Sequence, residues 1–311
     1  MSLVEQRGRH DLVVVSADGS SVVVSDDLTL PRVWTDGGHP ADVSAIVAFL
    51  RARLEQPVTV LRCVRTEPRQ DRDAAYRWWH CELSNPAAPL PRGWRWRPID
   101  KRAPAVRQPA DGREWQCPGW TAEAYAWIKT QLPRVEGIEQ IRCWEFSHVA
   151  RVRAASKTYF FKALPKSYAH EPPLTQALAE SYPRLAPKVH AVNVQRRWML
   201  TQAVPGTSLE PRITLEPWQR TVAAYANLQR AWSSRTDELR ALGCRQTTLA
   251  QTHDQAAKLA NLPWLSEAIH RLQAYDIPMT LDHGDFWPSN VFVTRTNARV
   301  IDWTDAAINH P

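Results

Sequence analysis

Between residues 283 and 305 the chain has to fold back on itself, and this reversal constrains the fold more than any other segment. His283-Gly284-Asp285-Phe286-Trp287-Pro288-Ser289-Asn290 leads into the apolar run Val291-Phe292-Val293. Turn-forming residues 294–297 follow, and a second apolar run, Arg299-Val300-Ile301, ends in Asp302-Trp303-Thr304-Asp305. Two short apolar runs around a polar turn predict a β-hairpin. A hairpin of that length returns Asp302, twelve positions after Asn290, to the side of Asn290.

The reversal therefore gathers an acid, an amide and a second acid. Asp285 can accept the proton of a hydroxyl group, while Asn290 and Asp302 offer a neutral and an anionic oxygen to a hard cation. Phosphoryl transfer has these needs, because an aligned hydroxyl must attack while metal ions neutralise charge on the phosphate oxygens. Either short string alone reads equally well as a turn and a buried strand end. Both together, in this order and spacing, point to chemistry.

This segment resembles the catalytic and metal-binding loops of the aminoglycoside phosphotransferase family, relatives of protein kinases, whose loops read HGDxxxxN and IDWxDA. Ile301-Asp302-Trp303-Thr304-Asp305-Ala306 follows the second pattern, with Thr304 at a position where glycine is frequent. The resemblance implies that Asp285 is the catalytic base, that Asn290 and Asp302 hold magnesium, and that Asp305 orders the loop. It implies ATP as phosphoryl donor, with GTP as the alternative nucleotide, Mg2+ as the metal, and a hydroxyl of a small molecule as acceptor.

Composition narrows the class. A chain of 311 residues with 44% hydrophobic content and 15 tryptophans can bury a large core, and its length suggests two domains. No run approaches the ~18 apolar residues of a membrane helix, and the first fifteen residues lack the apolar block of a secretion signal. A cytoplasmic location is expected, with no membrane partner. The five cysteines, Cys63, Cys81, Cys117, Cys143 and Cys244, are scattered and lack CxxC spacing, so they read as reduced core thiols rather than a disulfide framework or a zinc site. The net charge of +7 is spread along the chain without a nucleic-acid-binding motif, so no nucleic-acid partner is expected.

Residues 1–100 read as a small α/β unit. Strands are predicted at 12–15 and 22–24 around a turn at Asp18-Gly19, and a helix carries Val43, Ile46, Val47, Leu50 and Leu54, with Asp42 placed at its start. Further strands are predicted at 58–61 and 76–83. Helix followed by strand resembles the Nudix fold, but only Glu55 is acidic between residues 45 and 58, so metal-dependent hydrolysis there would lack its ligands. A non-catalytic accessory domain, or one through which two copies pair as a homodimer, is the expectation. Proline density at Pro86, Pro89, Pro91, Pro98, Pro104 and Pro109 marks a linker, so the boundary is placed near residue 100, with linker and helix over 101–134.

From residue 135 the pattern fits an α+β, bilobal protein-kinase-like fold with a β-rich small lobe over 135–205 and a helical large lobe over 206–311. A helix at 121–131 leads to strands at 138–146, 149–154 and 159–164. Lys162 interrupts the last of these, and the resemblance makes it the lysine that holds the α and β phosphates. Its carboxylate partner is expected from the next helix, where Glu171 is preferred and Glu180 reads as a solvated face; Pro172 and Pro173 restrict Glu171 to a first helical turn. Ser147 lies in the loop where protein kinases carry glycines, and its hydroxyl could cap phosphates. His148 reads as a surface imidazole. Residues 198–206 resemble the strand and hinge against which adenine lies, with Gln202 and Val204 as the contacts. Leu215, Trp218, Val222, Tyr225, Leu228 and Trp232 recur at helical spacing after Thr214, and helices follow at 247–261 and 264–275. Family members usually continue into further helices beyond the point where this chain stops, so the large lobe is expected to be truncated. The alternative to an active transferase is a nucleotide-binding pseudokinase or regulator that performs no transfer.

Overall fold

The computed structural model describes residues 7–16, 19–35, 39–68, 74–99, 113–210, 215–259 and 262–311. Asp18, Pro104, Pro109, Thr214 and Asn261 of the sequence reading lie outside the described residues. By its contacts the chain separates into two compact units, Met1–Ser167 and Tyr168–Pro311. That division falls inside the span 135–205 that the sequence reading treats as one lobe.

The first unit begins with β1 (Arg7–Val15), β2 (Ser21–Ser25) and β3 (Arg32–Thr35), then α1 (Ser44–Leu54), β4 (Val58–Pro68), β5 (Ala74–Leu83) and β6 (Trp94–Pro98). These six strands form one sheet in the order β4-β5-β1-β2-β6, with β3 also paired to β1. β1 and β5 run parallel, and the other pairs antiparallel. Alternation along a strand sends successive side chains to opposite faces, which leaves Leu12, Val14 and Val23 fully buried. The Asp42 carboxylate, just ahead of α1, accepts the Ser44 amide at 2.8 Å and places negative charge at the helix N-terminus. Two strands are additions to the sequence reading. β3 is short and carries two exposed residues, while β6 corrects the reading of residues 86–98 as linker, its Pro98 sitting at the strand end where no ladder donor is needed.

The unit continues with α2 (Trp120–Gln131) and the antiparallel meander β7 (Val135–Cys143), β8 (His148–Ala154) and β9 (Lys157–Ala163). Ala155 and Ser156 both take positive φ, the two-residue turn that matches strand twist. Gln140 on β7 satisfies the edge of β4: its side-chain amide donates to the Val60 carbonyl at 2.7 Å and accepts the Val60 N–H at 2.8 Å. His148 is fully buried against Trp120 and Phe161, which corrects its reading as a surface imidazole. Cys63 is exposed and Cys117 half-buried, so only Cys81, Cys143 and Cys244 are core thiols, and all five are free.

The second unit contains α3 (Glu171–Ser181), the antiparallel pair β10 (Val189–Asn193) and β11 (Trp198–Gln202), then β12 (Thr207–Ser208), α4 (Leu215–Trp232), α5 (Thr236–Ala241), β13 (Arg245–Gln246), α6 (Leu249–Leu259) and α7 (Pro263–Ala274). β14 (Thr280–Asp282), β15 (Val291–Val293), β16 (Ala298–Val300) and β17 (Ala307–Asn309) complete it as two small sheets, β12-β15-β16 and β13-β17-β14. Leu174 and Leu178 of α3, Tyr225, Leu228 and Trp232 of α4, Leu281, Val291, Val300 and Trp303 form one core. The helical stripe predicted for α4 is thus its buried face, though Leu215 and Val222 are exposed.

Candidate active site

The predicted hairpin forms, with β15 and β16 antiparallel and Val291 opposite Val300. The Ile301 N–H donates to the Asn290 carbonyl at 2.9 Å, which brings the residue before Asp302 against Asn290. Both loops are then tied down from below. Gly284 has φ 76, and a Cβ there would lie 2.4 Å from the Asp305 carbonyl oxygen, so the loops approach as closely as only glycine permits. The Asp305 side chain is exposed; its backbone makes this approach.

His283 joins the loops at their base. Its Nδ1 accepts the Asp285 N–H at 3.3 Å, leaving Nε2–H to donate to the Ile301 carbonyl at 3.0 Å. Burial lowers its pKa, against the opposing pull of the Ile301 carbonyl and of Asp302, Asp285 and Asp282, and the neutral ring is the form these two bonds require. The Tyr225 hydroxyl of α4 accepts the His283 N–H at 2.7 Å and donates to Asp282 at 3.2 Å. Burial, and then the Asp282 charge, raise the Tyr225 pKa, so the phenol keeps its proton. Phe286 stacks on the Tyr225 ring with centroids 4.5 Å apart, and Trp303, fully buried, lies 4.6 Å from His283.

On this base sit the residues that the sequence singles out. Asp285 is exposed, and Asn290 Nδ2 donates to its carboxylate at 2.9 Å and to its carbonyl at 3.0 Å. With the amide nitrogen so directed, the Asn290 side-chain oxygen points away from Asp285. Asp302 takes the left-handed conformation, φ 65 and ψ 64, at the start of the turn Trp303–Asp305. The Thr304 hydroxyl lies 2.5 Å from Asp302 Oδ1 and 2.6 Å from Glu171 Oε2. Glu171 opens α3 with Pro172 and Pro173 behind it, as the prolines demanded, and is fully buried. Glu180 is exposed, as a solvated helix face should be.

Lys162 is half-buried on β9, opposite Val149. Ser147 is buried, its hydroxyl accepting the Trp144 indole N–H at 3.0 Å. The Gln202 N–H donates to the Lys188 carbonyl at 2.9 Å, and Val204 is half-buried. Thr304, His283 and Tyr225 were not assigned roles from sequence. The signal for Thr304 was its departure from glycine; Tyr225 was hidden in a core stripe.

The geometry is thus an exposed carboxylate oriented by an amide, joined through a hairpin return to a loop that carries a second carboxylate. The profile of the phosphotransferase enzyme family matches residues 138–311, more than half of the chain, and the chain belongs to that family. Comparison with curated proteins yields no match. Among solved structures, the chain is similar to aminoglycoside phosphotransferase APH(4)-Ia at 15% identity, over 60% of this chain and 72% of that one, with a TM-score of 0.41. It is similar to choline kinase LicA from Streptococcus pneumoniae at 13% identity, over 60% and 69%, TM-score 0.38. A choline/ethanolamine kinase family protein from Mesorhizobium loti matches at 18% identity, over 61% and 67%, TM-score 0.36. A structure from Sinorhizobium meliloti 1021 matches at 20% identity over only 30% of either chain, TM-score 0.25.

Proposed function

We propose that this protein is an ATP- and Mg2+-dependent phosphotransferase that moves the γ-phosphoryl group onto a hydroxyl of a small molecule. The hydrogen-bonded Asp285–Asn290 pair, with the residue before Asp302 bonded to Asn290 by the hairpin return, carries this reading. Asp285 would take the acceptor hydroxyl's proton as the new oxygen–phosphorus bond forms and the bond to the β-phosphate oxygen breaks, releasing ADP. Asn290, by holding one carboxylate oxygen, leaves the other turned to the hydroxyl.

The donor set fits magnesium. Asn290 and Asp302 offer only oxygen, and no cluster of three or more His, Cys, Asp or Glu side chains able to hold a metal exists among the described residues. Magnesium suits such a sparse site, because it keeps several waters and binds through one or two protein oxygens plus substrate phosphates. When bound it supplies positive charge to the phosphate oxygens. The roles of Lys162 toward the phosphates and of Gln202 and Val204 toward the base belong to the same proposal. The Ser147 role toward the phosphates belongs there too, since its hydroxyl oxygen accepts the Trp144 indole N–H and its own O–H remains to donate.

The test is ADP release from Mg·ATP across a panel of choline, sugars, amino alcohols and aminoglycosides, with Asp285→Asn in parallel. Turnover with one acceptor should fall ~10²-fold or more in Asp285→Asn while Mg·ATP still raises the melting temperature. Equal turnover in the variant would remove Asp285 as the base. Stabilisation by Mg·ATP with no turnover on any acceptor would favour the pseudokinase.

A further inference from the structure

The first unit contains a cavity of about 1140 Å³ that phosphoryl transfer does not use. Its floor is apolar. Val13 and Val15 of β1 and Val22 and Val24 of β2 line it, on the sheet face opposite the buried Leu12, Val14 and Val23, and Leu30 and Ile99 extend the lining.

The side walls are cationic. Arg62, Arg65, Arg77, Arg97 and Arg113 line the cavity against a single carboxylate, Glu145, which lies 3.7 Å from Arg113. Arg65 pairs with Glu67 and lies over Trp78. Arg62, Arg77 and Arg97 form no ion pair among the described residues. This concentration of charge is built into the strand. β4 carries bulges between Val60 and Arg62 and between Cys63 and Arg65, so that five consecutive residues, 62 to 66, line one cavity where regular alternation would turn every second one away.

Two polar atoms at the cavity wall lack partners. His80 is 3% exposed, and neither its Nδ1 nor the buried Nε of Arg62 has a hydrogen-bond partner among the described residues. Burial, and then the Arg62 charge, lower the His80 pKa to about 4, so the ring is neutral. Burial also lowers the Arg62 pKa, against the opposing effect of the Cys117 thiol. A partly desolvated guanidinium without a counter-charge and a buried imidazole nitrogen without a partner are what a bound anion would complete.

We propose that this cavity is a binding site for a small anionic amphiphile, a carboxylate or phosphate head on an apolar body, with Arg62 and Arg77 meeting the head and the valine face meeting the body. Both halves of that ligand are needed. A bare inorganic anion would leave the apolar floor empty, and a neutral hydrocarbon would leave the arginines uncompensated. The site is distinct from the phosphotransfer residues, so it can be tested without reference to turnover.

The experiment is calorimetric titration and thermal shift on the full chain with decanoate, decyl phosphate, decanol and decyltrimethylammonium, each below its micelle concentration. One or both anions should bind and raise the melting temperature, with at least tenfold weaker binding of decanol and none of the cation. Preference between decanoate and decyl phosphate identifies the head group. Arg62→Gln and Arg77→Gln, checked for folding by circular dichroism, should each weaken the preferred anion at least tenfold, and Asp285→Asn should bind it as the wild type does. Decanol binding as tightly as both anions, no binding of either anion, or wild-type affinity in both arginine variants would overturn the proposal. The wild-type comparison of anion with decanol decides it even if neither variant folds.

Discussion

Thr304 is the residue whose meaning changed most between sequence and structure. Its place in Ile301-Asp302-Trp303-Thr304 reads as a departure from a frequent glycine, whereas in the fold its hydroxyl gathers Asp302 of the loop after β16 and Glu171 of α3. One hydroxyl carries one proton, so it donates to one carboxylate at a time and holds the position of both. Thr304→Val keeps the shape and removes the bond. We expect ~10-fold weaker apparent Mg2+ affinity in ADP release with little change in maximal rate, and recovery in Thr304→Ser, which restores the hydroxyl. Equal loss in both variants would mark a packing effect instead. The hairpin that turns the chain back after Asn290 was legible because its spacing is local, but the Thr304 to Glu171 contact joins residues 133 positions apart.

At the scale of elements, the catalytic loop depends on a helix far from it in sequence. Tyr225 sits in the buried stripe of α4, where periodicity marks it as core, and nothing in that pattern reveals that its hydroxyl serves the His283 N–H. Tyr225→Phe would leave that buried N–H without an acceptor and release Asp282, at a cost of about 1–3 kcal/mol. The check is urea unfolding beside turnover: stability should fall by that amount and turnover should fall with it, because His283 positions both loops. Unchanged stability would show that the bond is dispensable. The helices other than the six-residue α5, and the β15–β16 hairpin, were readable from apolar spacing and turn residues. Short strands such as β12, β13, β14 and β17 were not, since two or three residues carry no period and are set by their neighbours.

For the whole molecule, acid sensitivity follows from histidines that the first unit buries in neutral form. Burial lowers His10 and His80 to about 4 and His148 to about 3, from an ordinary value of 6.5. Above pH 6.5 both folded and unfolded forms are neutral and these residues have no pH effect. As pH falls below 6.5 the unfolded chain takes up protons that the fold refuses, so stability drops until the folded values are reached. At pH 5 each would cost up to about 2 kcal/mol. Urea unfolding at pH 7.5 and 5.0 should show a loss of several kcal/mol, and equal stability would contradict the buried, neutral state. His148 illustrates why sequence misjudges such residues: a lone imidazole beside a turn looks solvated until α2 and β9 close over it. The order of residues from 283 to 305 was enough to specify the reaction class, because phosphoryl transfer needs its acid, amide and second acid at separations that one hairpin can supply. The hold on Glu171, the neutral His283 and the arginine-walled cavity were decided only by tertiary structure. Each depends on burial and on contacts between distant strands and helices, and neither burial nor distance is written in local spacing.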